Sequence, residues 1–246
     1  MVIMKVTIVA EIASNWEGSV TKAKKIIKEC KKAGADAVKF QMWRAADLYS
    51  TKHPLWKFIK KSELTFSVAS KFKKICDDMG IEFFCSAFYP KAVNFLESIN
   101  VKRYKIASRT CLLNDPFSFD TLKAKAQTGK PVIISMGMGG NKKQMEKIFS
   151  KNKPVFCYCI SEYPTPFKKI DWPKAVKFDG FSDHTLGITA PLIYAILKKQ
   201  QKTSKIIIEK HVKLANSKGP DASSSIDTDE LAKMIHEIRK IEKINL

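Results

Sequence analysis

The sequence predicts one α/β domain, a closed (β/α)8 or TIM barrel, and three observations lead to that fold class. Short apolar stretches rich in β-branched and aromatic residues alternate about eight times with amphipathic stretches, which is typical of a parallel sheet covered by helices. The length of 246 residues suits a single barrel. The glycine motifs of dinucleotide-binding and P-loop sheets do not occur in the sequence. We therefore expect one barrel domain over residues 1–246.

The predicted strands are short apolar runs, as expected for parallel strands that are buried on both faces. They are Val6–Ile12, Ala37–Met42, Glu82–Phe88, Arg103–Ser108, Pro131–Gly137, Pro154–Ile160, Gly180–His184 and Lys205–Val212. In a barrel of this class the active site forms at the C-terminal ends of the strands. Polar residues at those ends are therefore the candidates for function.

The predicted helices follow from apolar spacing and from capping residues. In Ser19–Ala33 apolar residues recur every three or four positions, Ser19 can cap the N-terminus, and Gly34 can end the helix. The same criteria predict helices at Phe66–Met79, Pro90–Ser98, Pro116–Thr128, Asn141–Ser150, Asp171–Val176, Ile188–Gln200 and Thr228–Ile244. A loop is predicted between Trp43 and Trp56.

The composition argues against several classes of partner. The net charge is +20, but the lysines are spread over predicted helices without a nucleic-acid-binding motif, so we expect no nucleic-acid partner. No apolar run approaches the ~20 residues of a membrane span, and the N-terminus enters a strand without a signal-peptide pattern. We expect no membrane association and a cytoplasmic location. The six cysteines lack a C-x-x-C pair and are predicted to be reduced, buried thiols.

Two lysines lie inside apolar predicted strands, where an ammonium is unfavourable unless it meets an anion. They are Lys39 and Lys105. Hydroxyl groups occupy other strand ends, at Ser86, Ser108, Ser135 and Ser182. This set suits a ligand that carries a phosphate and a carboxylate. Two alternatives stay open on these residues alone: lysines whose side chains extend from the rim to solvent, and a Schiff-base aldolase in which one lysine lowers the pKa of the other.

Two of the four histidines fall at the ends of the last two predicted strands. Glu209 and His211 are two residues apart and so share one face of a strand. If the neighbouring strand brings His184 to the same place, two imidazoles and a carboxylate converge, which suits a divalent metal. A structural role for each histidine, hydrogen-bonded in the core or rim, is an equally open interpretation at this point.

Taken together, the motifs resemble one family, the sialic acid synthases and their legionaminic and pseudaminic acid relatives. The matching stretches, in family order, are Ala10–Ile12, Ala33–Gln41, Lys105–Ser108, Thr128–Ser135, Ser161–Pro164, Ser182–Gly187, Ile208–His211 and Gly219–Asp221. They cover nearly the whole chain, and their combination is specific although no single stretch is.

The resemblance implies that the protein condenses phosphoenolpyruvate with an N-acetylated hexosamine, such as N-acetylmannosamine, and releases phosphate to form a nine-carbon 2-keto acid. It implies that phosphoenolpyruvate is held by Lys39, Lys105, Ser86, Ser108, Ser135 and Ser182. Gln41, Ser161, Tyr163 and Asp221 would line the substrate pocket, and Glu11 and Glu209 would be the acid/base and orienting carboxylates. His184 and His211 would bind Mn2+ or Mg2+.

Some features depart from the family pattern. The family usually carries a small C-terminal antifreeze-like (SAF) domain, which reaches the site of a partner subunit; we expect the barrel alone here, with a homodimer or a separate SAF-like partner. Thr110, Ser161 and Ala222 stand where an acidic residue, an asparagine and a histidine are common in the family. All of these bear on sugar recognition. The alternatives are a synthase for a different aldehyde or sugar, and a non-catalytic barrel that binds sugar or phosphate.

Overall fold

The computed structural model describes residues 4–245, and these form a closed barrel of eight parallel strands. The strands are β1 Lys5–Glu11, β2 Ala37–Met42, β3 Glu82–Ala87, β4 Tyr104–Ile106, β5 Val132–Ser135, β6 Val155–Cys159, β7 Gly180–Asp183 and β8 Lys205–Lys213. Neighbours in sequence are neighbours in the sheet, and pairing of β1 with β8 closes the barrel. The predicted TIM-barrel fold is confirmed.

Helices cover the outside of the barrel. They are α1 Val20–Ala33, α2 Ala45–Leu48, α3 Trp56–Lys61, α4 Phe66–Met79, α5 Pro90–Ser98, α6 Ser118–Gln127, α7 Lys142–Ile148, α8 Trp172–Ala175, α9 Thr189–Gln200 and α10 Thr228–Ile241. The caps predicted for α1 are present: Ser19 accepts from the backbone N–H of Lys22, and Gly34 ends the helix at a φ of 92°. Such a positive φ favours glycine.

The two-residue period of the strands separates the barrel interior into an apolar layer and a polar layer. One layer is a buried apolar cluster formed by Val9, Ala37, Phe84, Ile133, Cys157 and Ile207. The residues two positions later are Glu11, Lys39, Ser86, Ser135, Cys159 and Glu209. The polar layer therefore lies next to the apolar layer, on the side of the C-terminal ends of the strands.

β7 contributes a glycine to the lower layer. A Cβ atom at Gly180 would collide with Sγ of Cys157 on the neighbouring strand. The small residue therefore lets β6 and β7 pack at this level, and Ser182, two positions later, joins the polar layer.

Three differences from the predicted elements have local causes. β4 ends at Ile106 rather than Ser108, because the backbone N–H groups of Thr110 and Cys111 bond to the carbonyls of Ala107 and Ser108 and turn the chain into a 3-10 helix. The predicted loop after β2 contains α2 and α3, which pack through Ala45 and Ile59 around Trp43. A short strand, β9 Ile226–Asp227, pairs with the end of β8.

The main core lies between the strands and the helices, and it includes the apolar stripe of α10. Residues 4–245 contain no helix that is both long and apolar enough to cross a membrane. All six cysteines are buried free thiols, as predicted.

Candidate active site

A cavity of about 450 Å³ opens at the C-terminal ends of the strands. The predicted site residues that line it are Lys39, Gln41, Ser86, Lys105, Ser108, Ser135, Ser161, Tyr163, Ser182, His184, Glu209, His211 and Asp221. Glu11 is fully buried beside it and accepts a hydrogen bond from Gln41 at 3.2 Å. The structure thus brings all of the predicted site residues to one place.

Lys105 and Glu209 form the centre of the polar layer. Nζ of Lys105 donates to Oγ of Ser135 at 2.7 Å and to Oε1 of Glu209 at 2.8 Å. The hydroxyl of Ser182 donates to the same carboxylate oxygen at 2.8 Å. Lys105 and Glu209 are almost completely buried, so this ammonium and carboxylate face each other with little water between them.

Lys39 forms a second charged group. Its Nζ contacts the carboxylate of Glu11, donates to Oγ of Ser86 at 3.3 Å, and lies 3.7 Å from Oε2 of Glu209. The cavity floor therefore holds two ammonium groups, from Lys39 and Lys105, and two carboxylates. An anionic ligand that reaches this floor meets cations that are already desolvated, and such contacts are stronger than contacts in water.

The two carboxylates have opposite acidities. Burial raises the pKa of Glu11 to about 7, against the opposing attraction of Lys39. Burial acts in the same direction on Glu209, but Lys105 and Lys39 outweigh it and hold the pKa of Glu209 below its usual range. Near neutral pH Glu11 can therefore carry a proton while Glu209 stays ionised.

The Schiff-base alternative requires a lysine whose pKa is lowered, and Lys105 does not meet that requirement. Although burial opposes it, the carboxylate of Glu209 raises the pKa of Lys105. An ammonium that stays protonated is a poor nucleophile. The contact between Lys105 and Glu209 therefore opposes the activation that a Schiff-base mechanism would require of Lys105.

His184 and His211 lie at adjacent strand ends with their ring centroids 5.3 Å apart. Nδ1 of His184 lies 2.7 Å from the carbonyl oxygen of Ile160, and because a carbonyl only accepts, this nitrogen carries a proton, which leaves Nε2 as the acceptor in the neutral ring. Although burial opposes it, the neighbouring Cys159 raises the pKa of His184. Burial lowers the pKa of His211 to about 3, and its buried Nδ1 has no hydrogen-bond partner among the described residues. The ring of Tyr163 covers His184 at 4.1 Å between centroids.

The donor atoms of His184 and His211 are of the type that binds a divalent metal. A neutral His211 and an available Nε2 on His184 are the imidazole forms that bind metals. Within residues 4–245 no group of three or more His, Cys, Asp or Glu side chains is arranged to hold a metal ion. The remaining ligands of a metal at this pair would therefore be water or substrate, as in sites that keep open positions for catalysis.

The sequence did not point to several residues that line the same cavity. Arg109 follows Ser108 and is fixed by Asp115, whose two carboxylate oxygens accept from Nε at 2.5 Å and from Nη2 at 2.7 Å. Cys159 continues the inward period of β6 above Cys157 and lies 3.9 Å from Nδ1 of His184. The two-residue period of β6 could have indicated Cys159 from the sequence alone. Arg109 lies beyond β4, so no strand period could locate it.

A second, smaller cavity of about 290 Å³ adjoins the first and shares some of its walls. Trp43 and Tyr49 line both cavities, and their rings meet edge to face. His53 adds a third aromatic ring, and Asp221 brings a carboxylate that accepts from the backbone N–H of Ser14 at 3.0 Å. The segment after β2, which was predicted as a loop, thus helps to form a second cavity beside the candidate site.

Most of the sequence that forms this barrel matches the model of a known family. The model of the NeuB family matches residues 26–245. This chain belongs to the NeuB family. The predicted resemblance to the sialic acid synthases and their legionaminic and pseudaminic acid relatives is therefore confirmed.

The similarity to known proteins covers nearly the whole chain. The chain is 33% identical to the pseudaminic acid synthase of Campylobacter jejuni, over 97% of this chain and 74% of that protein. It is 36% identical to an uncharacterised protein of Methanocaldococcus jannaschii, over 96% of this chain and 71% of that protein. The crystal structure of N-acetylneuraminic acid (sialic acid) synthetase from Leptospira borgpetersenii, in complex with citrate, superposes with a TM-score of 0.86 at 28% identity, covering 97% of this chain and 84% of that one.

Proposed function

We propose that this chain is a synthase that condenses phosphoenolpyruvate with an N-acetylated hexosamine, such as N-acetylmannosamine or a related sugar, to form a nonulosonic acid and inorganic phosphate. The observation that carries the proposal is the pair of buried ammonium groups, Lys39 and Lys105, at the floor of a cavity in a NeuB-family barrel. The synthase names of the Campylobacter and Leptospira relatives support it.

Phosphoenolpyruvate carries a carboxylate and a phosphate on the same carbon, C2, and the cavity floor offers cations and hydroxyls that match them. Lys39 and Lys105 would bind the two anionic groups, with Ser86 and Ser135 as further donors, since each hydroxyl already lies within hydrogen-bond distance of one of these lysines. In the structure these ammonium groups are paired with Glu11 and Glu209. A bound anion would share or replace those pairs.

The carboxylates would take different roles because their acidities differ. As C3 of phosphoenolpyruvate attacks the sugar aldehyde, the aldehyde oxygen gains negative charge, and Glu11, with its raised pKa, can donate a proton to it. C2 becomes positively charged in the same step. The Glu209 carboxylate, held ionised by Lys105 and Lys39, stabilises that positive charge.

Water then adds at C2 and passes a proton to the Glu11 carboxylate, which restores its acid form. The tetrahedral product expels phosphate with cleavage of the bond between C2 and the oxygen that carries phosphorus, and the C2 hydroxyl passes its proton to the departing phosphate as the keto group forms. Lys105 and Lys39 stabilise the charge that builds on the departing phosphate. His184 and His211 would hold Mn2+ or Mg2+, which supplies Lewis-acid polarisation of a carbonyl when bound.

The acceptor sugar would occupy the wider part of the cavity, toward Gln41, Tyr163 and Asp221. Tyr163 is half exposed over the cavity, and an aromatic ring with a polar end suits the face and hydroxyls of a sugar. The adjoining cavity beside Trp43 and Tyr49 gives room for substituents of the sugar.

The direct test is phosphate release from phosphoenolpyruvate across a panel of N-acetylated hexosamines, with Mn2+ or Mg2+ present. We expect release that depends on the sugar, with a keto acid formed in equal amount. A sugar-independent release, or binding of phosphoenolpyruvate without release under any condition of the panel, would contradict the proposed reaction and favour the non-catalytic alternative.

A further inference from the structure

One buried lysine does not line the cavity but lies on the outer side of the strands that carry the proposed phosphoenolpyruvate site. Lys125 is on α6, and its side chain is completely buried between that helix and the barrel. Its Nζ donates to the carbonyl oxygen of Ala87 at 2.8 Å and to that of Lys105 at 3.1 Å. One side chain therefore joins the end of β3 to β4.

These two strands form the shortest pairing in the barrel. Among the described residues, β3 and β4 are in register at one position, Ser86 opposite Lys105. The other neighbouring barrel strands are paired at three to seven positions. A short ladder holds strand ends weakly, because fewer backbone hydrogen bonds oppose their separation. Lys125 adds two hydrogen bonds that join β3 to β4, where the backbone pairing is shortest.

The same two strands carry groups proposed to bind phosphoenolpyruvate. Lys125 bonds to the backbone of Lys105 itself, whose ammonium reaches Ser135 and Glu209 on the inside of the barrel. Its other acceptor, Ala87, follows Ser86, whose hydroxyl accepts from Lys39. The backbone that Lys125 holds is thus the backbone from which two groups of the site project.

A purely apolar side chain would be the expected occupant of this position. No carboxylate lies within ion-pair distance of Lys125 in the part of the chain that the structure describes, and a buried amine without a carboxylate is unfavourable. Burial lowers the pKa of Lys125 to about 7. The bridge does not depend on its charge, because the neutral amine also has two N–H groups for the two carbonyls.

We propose that Lys125 is a positioning residue: it holds the C-terminal ends of β3 and β4 together and thereby sets the spacing of Ser86 and Lys105 for phosphoenolpyruvate. The identity of the ligand rests on the proposed function. A misplaced binding group loses much of its effect even when its chemistry is intact.

The test compares Lys125→Met with a matched variant, Lys198→Met. Lys198 is also a buried lysine of a helix, α9. Its Nζ donates to the carbonyl oxygen of Val176 at 3.2 Å and to Asp179 at 3.1 Å. These acceptors precede β7, so they lie at the opposite end of the barrel from the cavity. We expect Lys125→Met to raise the Kd and KM for phosphoenolpyruvate about tenfold or more and to leave the KM for the sugar unchanged. Lys198→Met should lower the melting temperature without a change in the phosphoenolpyruvate Kd.

Hydrogen–deuterium exchange adds a readout that does not need activity. In Lys125→Met, exchange should accelerate in the segments 82–88 and 104–108 and not in the other strands. If that variant does not fold, Lys125→Gln, which keeps an N–H donor, takes its place with a smaller effect of the same kind. Wild-type protein that binds no phosphoenolpyruvate would overturn the proposed function and this inference with it. Wild-type affinity in the folded variant would overturn the inference alone.

Discussion

Nζ of Lys105 lies 2.8 Å from Oε1 of Glu209, and this contact joins β4 to β8 across the interior of the barrel. The two strands are separated by three others on either side of the closed sheet. Both side chains are nearly inaccessible to water. The pair therefore fixes a cation and an anion at the centre of the cavity floor, where a bound anion must compete for the cation.

Lys105→Met should affect both stability and binding. Removal of one partner of a buried ion pair leaves Glu209 with only its longer contact to Lys39 and is expected to lower the free energy of unfolding by up to about 3–5 kcal/mol. Loss of a charge-assisted contact of about 1.5–3 kcal/mol should weaken phosphoenolpyruvate binding by roughly ten- to hundredfold. Denaturant unfolding and titration calorimetry measure the two effects.

The double variant Lys105→Met, Glu209→Gln separates these effects. It also removes the charge of the carboxylate that lost its main partner, so we expect much of the stability to return while the affinity for phosphoenolpyruvate stays low. Equal affinity for phosphoenolpyruvate in wild type and both variants would show that Lys105 is a structural residue only.

Glu11 should make the stability depend on pH. Its pKa is about 7 in the folded protein against a reference of 4.5, so between these values the folded state binds more protons than the unfolded state. Stability therefore falls as pH rises from about 4.5 to 7, by about 3 kcal/mol in total from this group. Glu11→Gln should remove that part of the pH dependence.

Glu146→Gln is the matched control for this experiment, because Glu146 is an exposed carboxylate on α7. It should leave the pH profile of the unfolding free energy unchanged. A Glu11→Gln profile that is parallel to wild type from pH 4.5 to 7 would mean that folding does not raise the pKa of Glu11.

His211→Ala should abolish binding of Mn2+. The neutral imidazole of His211 and Nε2 of His184 are the proposed donors, and loss of one of two protein ligands leaves too few to hold the ion. Electron paramagnetic resonance of free Mn2+ measures binding without any assay of turnover. His236→Ala, at an exposed histidine of α10, is the control and should bind as wild type does. Full Mn2+ binding by His211→Ala would place the metal elsewhere.

Most of the fold and the polar layer could be predicted because both follow from the two-residue period of a strand. Lys39, Ser86 and Glu209 each lie two positions beyond an apolar residue of the lower layer. The period sets the direction of each side chain, and closure of the barrel brings them together. Contacts between them, such as Lys105 with Glu209 rather than with Lys39, depend on side-chain reach across the barrel and were not predicted.

Lys125 shows why other residues were missed. It is three residues after Leu122, on the buried face of α6, but a lysine in a lysine-rich helix indicates a solvated face when only the sequence is considered. Its carbonyl acceptors come from β3 and β4, which are distant in sequence. Arg109 and the α2–α3 segment lie outside any regular strand period, so their places depend on tertiary packing alone.

The most direct test of the central claim uses phosphoenolpyruvate labelled with heavy oxygen at the bridge between C2 and phosphorus. The products with an N-acetylated hexosamine are analysed by mass spectrometry. The proposed reaction, in which water adds at C2 and the C2–O bond breaks, places the label entirely in inorganic phosphate. Label retained in the keto acid would show cleavage of the P–O bond instead and would contradict the roles proposed for Lys39, Lys105, Glu11 and Glu209.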